Sequence, residues 1–345
     1  MNMYTPYPYV KCQARAAARA RFCFVEPHPH SRSAPAVTPE PAPTSARERL
    51  ALWRRGRPRT PPLTRERIAA RGLEFAVRRS PEVPGTIPLL AINGGMIYGH
   101  DLLWPTFAPF AERRQVILYD QRGRGESQAP PGARAARIEH DVLDVCALRA
   151  ALGIPQWDLA AHSWGGGIAL LAAAEDPAGV RRIVTFDAVG PTSGWLNELH
   201  GRGVAHLAAR GLDDERAALA ALDPRALFVE DPELHARYSR AMYPAWFHDV
   251  SAMLAPPPLS LSPTGAAVAA RLRRDGYDWR ASHTTVSAPV LLIHGEEDAL
   301  PVTEAEANAR VLPHAQVLRI PEAGHMPFFE WPALVFDAAT RFLDA

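Results

Sequence analysis

Six short apolar segments restrict what this chain can become: IPLLAI (87–92), QVILYD (115–120), WDLAAH (157–162), RIVTFD (182–187), PVLLIH (289–294) and AQVLRI (315–320). None shows the sustained polar alternation of a strand with one wet face, so each suits a strand buried on both faces of a parallel sheet. Helix-like segments lie between them at 101–113, 138–152, 164–175, 303–312 and 332–343. Strand and helix signals in alternation give an α/β domain with a mostly parallel, doubly wound sheet. GLEFAVRRS (72–80) alternates in the manner of an exposed edge strand.

The rhythm breaks in two places. Residues 191–285 carry helical signals, ERAALAALDPRALF and PELHARYSRAMYPAWFHDV, without a buried-strand run. They are expected to form a helical lid inserted into a core made of 61–190 and 286–345. Its aromatics Trp195, Tyr238, Tyr243, Trp246, Phe247 and Trp279 are expected, as a set, to pack rather than to touch substrate, although pockets are lined by such residues. Residues 1–60 are rich in Pro, Ala and Arg and hold no sustained period, so they cannot bury enough apolar surface to offset chain entropy. They are read as a disordered or loosely attached extension. Eleven Lys/Arg against three Glu give that stretch a charge of +8, which leaves −7 for 61–345 against a total of +1. An arginine-rich, acid-poor start resembles a transit peptide or a nucleic-acid tail, but its prolines break any amphipathic helix and aromatics are not interleaved with the charge. No nucleic-acid partner is expected.

In open α/β sheets functional loops sit at the carboxyl ends of strands. Here those ends read NGGMIYGH, QRGRGES, Ser163 in HSWGGG, GEEDALP and EAGHMPFFE. Ser163 stands where a strand turns sharply into a helix, a turn that needs small neighbours. Gly165 to Gly167 supply them on the helix side, while Ala161 stands where glycine is usual. Its hydroxyl needs a base to take the proton during attack. His325, on the loop after the last strand, fits that role; His162 should point the other way along its strand, and His294 is expected to pack. Asp298 precedes His325 in chain order and would hold the imidazole tautomer, with Asp187 the alternative acid. Glu296 and Glu297 are read as solvated turn residues, and Asp120 as a structural cap. The backbone N–H of Trp164, at a helix start, and that of Gly95 would hold the negative charge of a tetrahedral intermediate.

Taken together, LLAINGGMIYGHDLLWP, VILYDQRGRGES, HSWGGGIAL, LLIHGEEDALP and PEAGHMPFFEWP resemble, in order and spacing, the α/β-hydrolase superfamily and within it the proline iminopeptidase-like serine hydrolases. The resemblance covers 65–345 and is strongest outside the lid. It implies the α/β-hydrolase fold, Ser163 as nucleophile, Asp298 as acid, His325 as base, and Gly95 and Trp164 as oxyanion donors. Two motifs depart from the family. Its oxyanion loop usually begins H-G-G-P-G, where this chain has Asn93, Gly94, Gly95, Met96 and Ile97; its elbow is usually G-G-S-W-G, where Ala161 and His162 precede the serine. A histidine there is common among esterases, lactonases and ring-cleavage hydrolases of the superfamily. An iminopeptidase would also need lid carboxylates for the substrate ammonium. Glu198, Glu230 and Glu233 are available, each expected as a solvated surface acid.

The expected activity is hydrolysis of a small amide or ester, in a small molecule or short peptide, through an acyl-enzyme. Esterase, thioesterase, lactonase, acyltransferase or cyclase chemistry would use the same triad. A non-catalytic ligand-binding module is the reading from another class, and the intact serine, acid and histidine count against it. No metal or nucleotide cofactor is expected, since H-E-x-x-H, spaced Cys/His clusters and G-x-x-x-x-G-K-[ST] are missing from the sequence. Cys12, Cys23 and Cys146 are odd in number and lack C-x-x-C spacing, which points to a reducing, cytoplasmic setting without a disulfide framework. No membrane span or signal-peptide core is expected.

Overall fold

A computed structural model describes residues 43–132, 135–225, 228–254 and 256–345. Its centre is an eight-stranded sheet: β1 (Thr64–Ala70), β2 (Leu73–Arg79), β3 (Leu89–Ile92), β4 (Val116–Tyr119), β5 (Trp157–His162), β6 (Val180–Phe186), β7 (Val290–Gly295) and β8 (Ala315–Ile320). In space they run β1-β2-β4-β3-β5-β6-β7-β8. The six from β4 to β8 are parallel, and the β1–β2 hairpin joins β4 antiparallel. All residues of β3, β4, β5 and β7 are buried, as their unbroken apolar runs require. From β3 the chain steps outward to β4 and then returns to β5 on the other side of β3. Connections therefore diverge at the carboxyl ends of β3 and β5 and leave a crevice between them.

Helices α2 (Ile138–Ala151) and α3 (Trp164–Glu175) cover one face of the sheet, with Val145, Leu148, Ile168 and Leu170 in that core. The final helix, α11 (Pro332–Asp344), covers the other face, numbering the intervening helices in chain order. There Phe107 meets Phe110, Phe186, Phe328 and Phe336 at centroid distances of 5.2–6.2 Å, mostly edge to face. Among the described residues five α-helices stand between β6 and β7: α4 (Leu199–Ala209), α5 (Asp213–Ala220), α6 (Pro232–Met242), α7 (Pro263–Asp275) and α8 (Arg280–His283). A bridge between Thr192 and Asp278 brings the two ends of this insertion together, and another between Tyr98 and Leu259 ties it to the loop after β3. After β7 come α9 (Thr303–Val311), β8, α10 (Pro327–Glu330) and α11.

Three expectations need correcting. GLEFAVRRS is not at the edge: β2 has five buried residues, and the outer position belongs to β1, whose TRERIAA reads as polar because most of its residues are exposed. Arg71 and Gly72 connect them with φ of 48° and 75°, the left-handed pair of a tight hairpin turn. The helix expected at 101–113 is reduced to short 3-10 turns at His100–Leu102 and Ala108–Glu112, because Pro105 and Pro109 lack the N–H a continuous helix needs. Within the extension, residues 1–42 lie outside the described residues, but 43–60 contain α1 (Ala46–Arg55). Ser45 and Glu48 cap it reciprocally, Trp53 stacks on Phe336 at 5.1 Å, and Arg49 lies over the Trp331 ring at 4.0 Å. Docking on α10 and α11 supplies the burial that its own sequence, rich in arginine, cannot. Among the described residues no helix is long and apolar enough to cross a membrane, and Cys146 is a free thiol.

Candidate active site

Ser163 joins β5 to α3 with φ 54° and ψ −122°, a conformation that costs a non-glycine residue energy and persists only where the surroundings impose it. The surroundings here are two small-residue approaches. A Cβ on Gly165 would press on the Asn93 carbonyl oxygen at 2.7 Å, and one on Gly94 would press on the Ser163 Cβ at 2.6 Å. Ala161 is wholly buried in β5, opposite Ile92 and Thr185, and its methyl belongs to the core. The turn therefore depends on glycine after the serine and tolerates alanine before it. The Ser163 N–H donates to the Phe186 carbonyl at 2.9 Å, fixing the elbow to the neighbouring strand.

His325 follows β8, and its Nδ1 lies 2.7 Å from Asp298 Oδ2. Both residues are buried, and Asp298 Oδ1 accepts the Leu300 N–H at 2.9 Å. The Trp246 ring lies over the His325 ring at 4.2 Å, and its carbonyl accepts the His325 N–H at 2.7 Å. Ser163 and His325 line one cavity with Gly95 and Trp164. No hydrogen bond joins the Ser163 hydroxyl to His325 among the described residues; such contacts often tighten only on substrate binding. The N–H groups of Gly95 and Trp164 have no protein acceptor among the described residues. Gly95 sits at φ 59°, and the Asn93 side chain braces its loop by donating to the Tyr98 carbonyl at 2.9 Å.

Behind Asp298 lies a second carboxyl. Asp187, at φ 49°, accepts the Gly295 N–H on Oδ1 at 2.8 Å, while its buried Oδ2 has no partner. Burial, reinforced by the Asp298 charge, pushes the Asp187 carboxyl well above the usual range. Burial also raises Asp298, opposed first by the Leu300 N–H. Two buried carboxyls this close share one proton, and Asp187 is the member better placed to keep it. Burial depresses His325 to about 3, and an ionised Asp298 at 2.7 Å acts in the opposite direction. Asp187, His294 and Asp298 could in principle ligate a metal, with donor atoms within 4.8 Å of one another. Two of the three already have other partners: His294 Nε2 meets the Leu300 carbonyl at 2.8 Å, and Asp298 holds His325.

Other sequence expectations find their places. His162 turns away from the cavity, and its Nε2 meets the His325 carbonyl at 3.0 Å, so it braces the loop that carries His325. Asp120 accepts the N–H groups of His100 and Glu126, a structural cap. Glu198, Glu230 and Glu233 are exposed and lie outside the cavity lining. Of the six lid aromatics, Trp195, Tyr238 and Trp246 line the cavity, whereas Tyr243, Phe247 and Trp279 do not. Sequence reasoning missed His235 and Ser239, which α6 turns into the cavity one helical turn apart. Their i, i+4 spacing was the only signal available, and it does not say which face a helix buries.

The chain is similar to known proteins. The chain is 32% identical over 228 residues to the 2-hydroxymuconate semialdehyde hydrolase of Pseudomonas putida, covering 62% of this chain and 72% of that protein. It is 27% identical over 285 residues to the proline iminopeptidase of Levilactobacillus brevis, covering 75% and 88%. Among solved structures, a thermophilic esterase from Thermogutta terrifontis superposes with a TM-score of 0.57 at 26% identity, covering 81% of this chain and 98% of that one. The pattern of the family described as alpha/beta hydrolase fold matches residues 88–332, and with the sheet order, the elbow and the lid in place the chain belongs to that family.

Proposed function

We propose that this protein is a serine hydrolase that cleaves a carboxylic ester or a small amide through an acyl-enzyme. The observation that carries the reading is the buried 2.7 Å contact of His325 Nδ1 with Asp298, in a cavity shared with a serine held on a strained turn. Ser163 Oγ attacks the carbonyl carbon while His325 Nε2 takes its proton. The oxyanion forms against the N–H groups of Gly95 and Trp164, where the start of α3 already favours negative charge. Collapse breaks the bond to the leaving group, which receives the proton from Nε2. Water then attacks the acyl-enzyme, gives a proton to His325, and releases the acid as the proton returns to Ser163. Asp298 keeps Nδ1 protonated throughout.

Relatives named as semialdehyde hydrolase, iminopeptidase and esterase support hydrolysis as the reaction class. The reading is tested with a fluorophosphonate probe. Labelling of the wild type and its loss in folded Ser163→Ala is the expected result; a folded Ser163→Ala protein that still labels would remove Ser163 from the mechanism.

A further inference from the structure

The lining of the active-site cavity says what kind of substrate it can hold. Its enclosed part leaves about 90 Å³ for the centre of a water-sized sphere, a narrow site that opens to solvent at its mouth. Its walls are mostly apolar, with Met96, Val189, Trp195, Leu199, Phe228 and Met242 among them. Among the described residues that line it there is no Asp, Glu, Lys or Arg. An ionised substrate group would lose its water there without gaining a counter-charge, which is costly.

Two polar side chains of the lid at this wall are already engaged. The Tyr238 hydroxyl meets His200 Nδ1 at 2.8 Å, and the Trp195 indole N–H donates to the Tyr277 hydroxyl at 2.6 Å. The Trp164 indole N–H is unpartnered, but its ring lies against Trp279 and Tyr277 at 5.7 and 6.4 Å. His235 differs from these. It is 2% exposed, lines the cavity from α6, and neither ring nitrogen is hydrogen-bonded to protein among the described residues; Nδ1 is fully buried. A buried polar group without a partner is costly, and native structures keep few of them. Burial, with the Arg124 charge behind it, lowers the imidazole to about 4, so near neutrality it presents one N–H donor and one bare acceptor. Arg124 itself is engaged with Asp141 at 2.9 Å. Ser239 adds a hydroxyl one turn along the same face.

We infer that His235, with Ser239, reads a hydroxyl or carbonyl oxygen on an otherwise apolar, uncharged substrate of this hydrolase. The inference rests on the serine hydrolase reading above. A neutral imidazole and a hydroxyl can each donate to a carbonyl or hydroxyl oxygen and can accept from a hydroxyl, and neither can neutralise an ammonium or a carboxylate. The substrate class is therefore a neutral ester or lactone with one polar oxygen away from the scissile bond.

The test uses full-length protein and two ladders of esters: p-nitrophenyl esters of increasing acyl length, and acetate esters of increasing alcohol length. At each length the plain chain is compared with its ω-hydroxy, ω-keto, ω-amino and ω-carboxy counterparts. In one ladder the hydroxy or keto ester is expected to exceed the plain ester in kcat/KM by about tenfold, one added hydrogen bond, with both charged esters well below the plain one. His235→Phe is expected to bring that ratio close to one, and His235→Asn, whose amide keeps a donor and an acceptor, to restore part of it. Because each variant is read as a ratio of two substrates, the fraction of folded enzyme cancels. A charged ester preferred over the plain one, no hydroxy or keto preference in either ladder, or a ratio unchanged by both variants would overturn the inference. Each of those results leaves fluorophosphonate labelling at Ser163 intact, whereas labelling of folded Ser163→Ala would bring down the underlying reading instead.

Discussion

At Asp298 a single side chain faces two tasks: it holds His325 at 2.7 Å and lies beside a second buried carboxyl, Asp187. The two acids are not equivalent. Asp187 Oδ2 has no donor aimed at it and suits the protonated carboxyl, while Asp298 accepts from Leu300 and faces the imidazole. An asparagine resembles a protonated carboxyl in shape and leaves no charge, so it should substitute well for Asp187 and badly for Asp298. Asp298→Asn is expected to lower kcat by about 10⁴, the scale seen when a triad acid loses its charge and the histidine its tautomer. Asp187→Asn should cost less than about tenfold, since the group it replaces is neutral. Steady-state kinetics on one p-nitrophenyl ester would decide, and equal losses in the two variants would contradict this division of labour.

At the scale of elements, legibility followed how each segment is buried. The parallel strands are apolar on both faces because the sheet buries both, so β3 to β7 could be read from their runs, and the chemistry at their ends came with them. The positions of Ser163, Asp298 and His325 at or just after strand ends were legible for that reason, and their roles stand as proposed. β1 was not, because an edge strand in water needs no apolar face. The sequence placed QRGRGES at a strand end and assigned no role to its arginines. In it Arg122 and Arg124 are buried, pairing with Asp144 at 2.6 Å and with Asp141 at 2.9 Å, both on α2. Partners that distant in sequence cannot be paired from one chain's composition. Helix α1 was hidden in the same way. Its ten residues are too few for a helix stable alone in water, and its stability comes from Asp249 accepting the Ala46 N–H at 2.6 Å, from the Trp53–Phe336 stack, and from buried Leu50. Comparing a chain shortened by residues 1–60 with one shortened by 1–42 isolates this helix. Urea unfolding should show the shorter chain less stable by about 2–4 kcal/mol, the scale of burying two or so apolar side chains. Equal midpoints would mean that α1 contributes nothing to the core it covers.

Across the whole molecule, the site depends on one buried glutamate that joins three separate parts of the chain. Glu330, at the end of α10, is fully buried; its Oε2 accepts the Gly324 N–H beside His325 at 2.7 Å, and its Oε1 accepts the Asp249 N–H of the lid at 2.7 Å. Its own carbonyl accepts from Arg49 of α1 at 2.9 Å. Burial outweighs the three backbone N–H groups that favour its charge and raises its carboxyl from 4.5 to about 7. In that interval the folded protein binds the proton and the unfolded chain does not, so this group stabilises the fold fully below pH 4.5 and loses that contribution as pH rises through about 7. A shift of that size corresponds to about 3 kcal/mol. The buried His235, His283 and His294 and the half-buried His206 act oppositely: His206, His235 and His283 are lowered to about 4 and His294 to about 3, chiefly by desolvation, so their cost appears as pH falls below 6.5. Wild-type stability alone therefore mixes two opposing slopes, and the contribution of Glu330 has to be read as a difference. Glu330→Gln stays neutral at every pH and keeps one acceptor oxygen for the two N–H groups. Urea unfolding of both proteins should find the wild type gaining on Glu330→Gln by up to about 3 kcal/mol when pH is lowered from 8 to 5. If the stability of the wild type relative to Glu330→Gln stays constant, or rises toward alkaline pH, Glu330 does not carry a proton in the folded protein, and the junction of lid and histidine loop is held by a carboxylate.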